Sequence, residues 1–227
     1  MIKINNVPTG YQKDFDGANV FVLLHMLIEN EEYRNFYTDS NHKFDLIILD
    51  NSAFELGKSM DSVLLIRWAL ILKETHPEAV VEIIIPDVYG NKDKTLESLY
   101  DFISRWDLTG FKLMAVPQGE NIEELTDCLS DMLSYFPEVD TIGINKLWDE
   151  SCWEYVFKKI TYYGKEIHKL GVNNLKDWTN PSLNLVRSAD SRILSKLVTG
   201  KEDPWDSKLD ETQIKILKNL FDEVKKW

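Results

Sequence analysis

Cysteine is scarce in this chain, basic charge is outnumbered, and long apolar runs are missing. Two cysteines in 227 residues, Cys128 and Cys152, lie far apart with no CxxC or Cys/His ligand spacing around them. That pattern excludes a disulfide framework and indicates no structural zinc site. No uninterrupted apolar stretch approaches the roughly 20 residues that a bilayer-spanning helix needs, so no membrane partner is expected. The opening MIKINNVPTGYQKDFDG lacks the basic region and apolar core of a secretory signal, which makes the cytoplasm the expected location. With 26 basic and 38 acidic side chains the net charge is −12, which at first argues against nucleic acid, because phosphate binding draws its affinity from lysine and arginine. A chain that is 44% hydrophobic and 28% charged is otherwise an ordinary globular sequence. Its length suits a single domain over residues 1–227, and no linker, repeat or low-complexity tract divides it.

The charge is unevenly spread. Residues 1–150 carry 12 basic and 27 acidic side chains, whereas residues 151–201 carry 9 basic and 4 acidic. Along the chain, apolar β-rich runs alternate with helical periodicity. Strands are expected near 45–49, 81–86, 111–116, 139–144, 165–170 and 185–189, at the spacing of repeated βα units. Helical faces are expected from Met60, Val63, Leu64, Arg67, Trp68 and Leu72, from Ile122, Leu125, Cys128, Leu129, Met132, Leu133 and Phe136, and from Ile214, Leu217, Leu220, Phe221 and Val224. Val20-Phe21-Val22-Leu23-Leu24 reads as either a strand or a helix start. The expected fold is therefore α/β, a TIM-like (β/α)8 barrel or a reduced version of one, with two further strands to be found in the first 40 residues or the tail.

Polar groups stand at the ends of the apolar runs. Leu46-Ile47-Ile48-Leu49 delivers Asp50 onto the turn Asn51-Ser52-Ala53, Ile83-Ile84-Ile85-Pro86 delivers Asp87, Leu113-Met114-Ala115-Val116-Pro117 delivers Gln118, and a later run ends on Asp190. In parallel sheets and barrels the C-terminal strand ends share one face, where ligands bind. Taken singly, each aspartate has a plainer role as a turn former or helix cap, Asp87 for a helix beginning near Lys92.

In this order the motifs resemble those of the tRNA-guanine transglycosylase superfamily. Asp50-Asn51-Ser52-Ala53-Phe54-Glu55 is similar to its D-S-G-G-F-Q element, Pro86-Asp87 to the base-recognising aspartate, Val116-Pro117-Gln118-Gly119 to V-Q-G, and Ile142-Gly143-Ile144-Asn145 to a glycine-rich base-contacting strand end. His168-Lys169-Leu170-Gly171-Val172 resembles Y-L-M-G-V, and Ser188-Ala189-Asp190-Ser191 stands in the place of the nucleophilic aspartate. The chain departs from the tRNA enzymes in having no cysteine after Cys152, hence no zinc subdomain, and in replacing the double glycine by Gly143-Ile144. The short length and variant spellings most resemble the DpdA-type DNA transglycosylases of phages and bacteria, which insert 7-deazaguanine derivatives into DNA.

The resemblance implies roles. Base exchange breaks the bond at C1′ through an oxocarbenium-like transition state that a carboxylate can trap as a glycosyl-enzyme. Asp190 would be that nucleophile, and Asp50 the acid and base that serves the departing and incoming bases. Asp87 and Gln118 would read the guanine edge, with Gly143, Asn145, Asn51, Ser52 and His168 lining the base pocket. Arg187, Arg192 and Lys196 would touch DNA phosphates, and Phe54, Tyr89 or Trp148 would stack on a flipped base. The implied partners are DNA and a free 7-deazaguanine base, with no metal or redox cofactor. The overall acidity leaves room for a homodimer or a partner protein. Two alternatives use the same residues differently: a glycosidase or DNA glycosylase with water as acceptor, and a non-catalytic nucleic-acid-binding subunit of a modification complex.

Overall fold

Short, β-branched apolar runs make strands here because both of their faces are buried, one inside the sheet's curve and one under helices. In a computed structural model, residues 2–5, 19–145, 148–172, 181–191, 193–200 and 208–226 are described. The strands are β1 (Ile2–Asn5), β2 (Asn19–Leu23), β3 (Leu46–Asp50), β4 (Val80–Ile84), β5 (Lys112–Ala115), β6 (Thr141–Ile144), β7 (Glu166–Lys169) and β8 (Ser188–Ser191). They hydrogen-bond in the order β1-β8-β7-β6-β5-β4-β3-β2, and every pairing is parallel. The two end strands, β1 and β2, approach each other, so the sheet is nearly closed into a TIM-like barrel.

The ambiguous run near Val20 is a strand. Asn19–Leu23 pairs residue by residue with Leu46–Asp50, and helix α1 (Leu24–Glu29) starts directly after it. The last strand lies later than expected: Pro181–Leu185 forms a 3-10 turn that buries Leu183, while β8 begins at Ser188. Apolar side chains there reach the core from a turn, which composition alone does not separate from a strand.

The remaining helices are α2 (Glu31–Tyr37), α3 (Ala53–Leu56), α4 (Ser62–Thr75), α5 (Lys92–Arg105), α6 (Ile122–Tyr135), α7 (Trp153–Tyr162), α8 (Ile193–Thr199) and α9 (Glu211–Lys226). Side-chain caps start α2, α4, α5, α6 and α9, in which Asn30, Asp61, Asn91, Asn121 and Asp210 accept from the N–H groups of Tyr33, Val63, Lys94, Glu124 and Gln213. Helix α6 buries the expected Leu125, Cys128, Leu129, Met132 and Leu133. Helix α4 is rotated from expectation, burying Leu65, Ile66, Ala69 and Leu72 while Val63 stays exposed. It is apolar on most sides, so docking and not periodicity selects the inner face. Leu217 of α9 is buried with Leu194 of α8 and Ala189 of β8 in a smaller cluster that covers the β8 side. No described helix is long and apolar enough to cross a membrane.

The barrel interior is partly polar. Glu82 on β4 is fully buried and receives the Arg187 guanidinium through both oxygens, at 2.5 and 3.2 Å, together with the Thr141 hydroxyl. Arg187 also pairs with Glu166 at 2.9 Å, and Glu166 accepts from Lys112 at 2.8 Å. Arg187, Glu166 and Lys112 belong to the N-terminal strand ends. The expectation that Arg187 contacts a DNA phosphate beside Asp190 is therefore corrected: the strand separates the two residues, and two carboxylates already hold the guanidinium. Removing one member of a buried ion pair leaves the other charge uncompensated, at a cost of about 3–5 kcal/mol. Arg187→Met is expected to destabilise by that amount in denaturant unfolding, and adding Glu82→Gln should recover a substantial part. Additive losses in the double variant would show that the pair is not coupled.

Candidate functional site

At the C-terminal mouth the strand ends bring together the residues that the sequence analysis singled out. Asp50 ends β3 and is half-buried, its Oδ2 accepting from the Ser52 N–H at 2.7 Å. The next two residues form a sharp turn. Ser52 adopts a left-handed conformation with φ 60° and ψ 22°, uncommon for a residue with a side chain. Its Oγ is held by the His25 backbone N–H at 3.2 Å and by His25 Nδ1 at 2.9 Å, contacts that support the strained backbone. Glycine is the residue for which that conformation carries no steric penalty.

Asn51 faces the other way. Its Oδ1 accepts from the Ala53 N–H at 2.8 Å, which orients the amide so that Nδ2 donates to the Ile85 carbonyl at 2.9 Å and to Asp87 Oδ1 at 2.8 Å. Gln118 donates from Nε2 to Asp87 Oδ2 while its Oε1 accepts from the Gly90 N–H at 3.3 Å. Asp87 is thus clamped between two carboxamides, one on each oxygen, and Ser59 exchanges hydrogen bonds with its backbone at 2.6 and 3.1 Å. It does not cap helix α5, since Asn91 does. Burial raises the Asp87 carboxyl above the usual carboxylate range against the opposing pull of Asn51 and Gln118.

Asp190 lies across the mouth, near the end of β8. Its Oδ1 contacts His168 Nε2 at 3.1 Å and accepts from the Gly171 N–H at 3.0 Å. His168 is fully buried inside the barrel and stacks on Phe21 with ring centroids 5.9 Å apart. Glycine at 143 follows from this interior. A Cβ there would lie 2.9 Å from Val116 Cγ2, 3.1 Å from Leu170 Cδ1 and 3.2 Å from Met114 Sδ. Gly119 is required for closeness too, because its Cβ would lie 2.7 Å from the Leu125 backbone nitrogen.

Asp50, Asp87, Gln118, Asn51, Ser52, Gly143, His168 and Asp190 are therefore gathered at one end of the barrel. Asn145 is half-buried at the end of β6, where its carbonyl accepts from Lys169 Nζ at 3.3 Å. Lys196 sits on α8, directly after β8. Arg192 lies outside the described residues. Of the aromatic side chains proposed to stack, Phe54 and Tyr89 are exposed, whereas Trp148 is buried in the core. Sequence reasoning missed His25 and Ser59. His25 had a signal, since it follows the apolar run 20–24 as Asp50 follows 46–49, but the strand-or-helix ambiguity of that run hid it. Ser59 comes from the loop after α3, where no periodicity marks it. Among the described residues no group of three histidine, cysteine, aspartate or glutamate side chains is arranged to hold a metal ion. Neither protein-family models nor curated proteins match the chain.

Environment separates the acids. Burial raises the Asp50 carboxyl well above the usual carboxylate range. Glu55 adds to that, the Ser52 N–H opposes it, and Asp87 and Asp190 raise it further. A carboxyl held protonated in the folded state contributes stability that is complete below its unfolded value of about 3.9 and is lost as pH rises toward the folded value. Asp50→Asn, which keeps an oxygen for the Ser52 N–H, is expected to raise Tm at pH 7 and to leave it unchanged near pH 3.5. An equal gain at both pH values in thermal melts would mean that Asp50 ionises in the ordinary range.

Proposed function

We propose that this chain is a DNA-guanine transglycosylase, which exchanges guanine in DNA for a 7-deazaguanine base through a covalent glycosyl-enzyme on Asp190. The observation that carries the reading is the meeting, at one barrel mouth, of Asp190 with an Asp50 whose carboxyl favours its proton and an Asp87 fixed by two carboxamides. Paired carboxylates in unlike environments are what sequential nucleophilic and acid–base steps require.

In this mechanism the Asp190 carboxylate attacks C1′ as the bond to guanine N9 breaks, and Asp50 delivers its proton to the departing base. Guanine leaves, the 7-deazaguanine enters, Asp50 takes the proton from its N9, and that nitrogen displaces Asp190 from C1′. Asp87 and Gln118 face the donor-rich N1 and amine edge and O6 of guanine. A 7-deaza base keeps that edge while carbon at position 7 allows a substituent. Reaching C1′ in a duplex requires flipping the nucleotide out, at a cost of a few kcal/mol.

Radiolabelled guanine in DNA should be released efficiently only when a 7-deazaguanine acceptor is supplied, without abasic sites. Steady release with matching abasic sites, independent of added base, would replace this reading by that of a DNA glycosylase. Absence of both release and adduct would favour a non-catalytic binding subunit. Asp190→Asn should lose exchange and the denaturant-resistant protein–DNA adduct together, because an amide cannot supply the attacking oxygen anion. A normal adduct yield in that variant would move the nucleophile to another residue.

A further inference from the structure

A chain of hydrogen bonds runs down the barrel interior from the proposed nucleophile to the ion pairs at the opposite end. Asp190 Oδ1 contacts His168 Nε2 at 3.1 Å, His168 Nδ1 contacts Ser188 Oγ at 2.8 Å, and Arg187 Nε donates to the same Oγ at 3.1 Å. Both Ser188 and His168 are fully buried. The guanidinium cannot swing away, because Glu82 holds it at 2.5 and 3.2 Å and Glu166 at 2.9 Å.

Arginine only donates, so Ser188 Oγ must accept from Nε–H, and its own proton is then available to His168. Were Nδ1 to carry a proton, Ser188 would accept twice and its buried hydroxyl proton would have no acceptor among the described contacts. In the neutral Nδ1–H form, moreover, His168 Nε2 would present a lone pair to Asp190 Oδ1. With Nδ1 accepting from Ser188, Nε2–H donates to Asp190 and every group in the chain is satisfied.

We propose that Arg187 and Ser188 are positioning residues that lock His168 as the Nε2–H tautomer, so that His168 and Gly171 together orient the Asp190 carboxylate. This rests on the reading of Asp190 as the nucleophile only for its catalytic consequence. The tautomer itself follows from the hydrogen bonds. Phe21 holds the imidazole plane from one side. Of the charged groups nearby, Asp50 faces Asp190 across the mouth, and Lys169 turns its ammonium to the carbonyls of Ile144, Asn145 and Leu170. The role assigned to Arg187 is thus internal, acting on Asp190 through two intervening side chains.

Nitrogen-15 NMR of the histidine rings in the full chain tests this, with His168 assigned by loss of its signals in His168→Gln. The wild-type protein should show His168 protonated at Nε2 and unprotonated at Nδ1. Ser188→Ala should abolish that single-tautomer signature and slow formation of the Asp190 adduct about 10- to 100-fold, as when a partner that orients a functional histidine is removed. Protonation at Nδ1 in the wild type would overturn the proposal, and so would a folded Ser188→Ala protein that keeps both the wild-type tautomer and adduct rate. The spectrum of the unsubstituted protein decides the point even if Ser188→Ala does not fold. Absence of any adduct from the wild type would instead count against the transglycosylase reading, leaving the tautomer assignment standing or falling on the spectrum.

Discussion

Parallel pairing of all the strands is the constraint on which the rest of this structure depends. Because every strand points the same way, one end of the barrel collects residues that close strands and the other collects residues that open them. Asp50 and Asp190 are 140 positions apart in the chain, yet each belongs to the C-terminal mouth for the same reason. The opposite end collects Lys112, Glu166 and Arg187, and there the charges neutralise one another.

The polar interior joins the two ends. An apolar filling would satisfy the barrel core, and a buried ion pair is weak evidence for stability because desolvation offsets its attraction. Glu82 and Arg187 make better sense as a fixed support. The bidentate pair immobilises the guanidinium, whose Nε–H reaches Ser188 and, through it, His168 below Asp190. The contacts thus run without a break from the buried Glu82 to Asp190 at the mouth.

At the mouth the three aspartates are kept chemically distinct by what surrounds them. Asp50 is half-buried near other acids with one backbone N–H on its Oδ2, so its proton is favoured. Asp87 has a carboxamide on each oxygen, which counters the effect of burial. Asp190 has an imidazole and a backbone N–H on one oxygen. The left-handed Ser52 is part of the same arrangement, because the turn that it makes sends Asn51 toward Asp87 while its own hydroxyl binds His25.

How much of this was legible in the residues differs by level. The alternation of apolar runs and helical faces determined the α/β class and the barrel, and the polar residues ending those runs marked Asp50, Asp87, Gln118 and Asp190. Both signals are local, since burial imposes periodicity on neighbouring residues and a strand end is visible in the sequence around it. The start of β8, the buried face of α4, the recruitment of His25 and the place of Arg187 were not legible. A turn can bury leucines as well as a strand can, an all-round apolar helix has no preferred side until it docks, and a positive charge next to an aspartate in sequence looks like its neighbour in space. Only the tertiary structure decided that Arg187 faces Glu82, from which it is separated by 105 positions, because register across a nearly closed sheet sets which distant side chains share an interior layer.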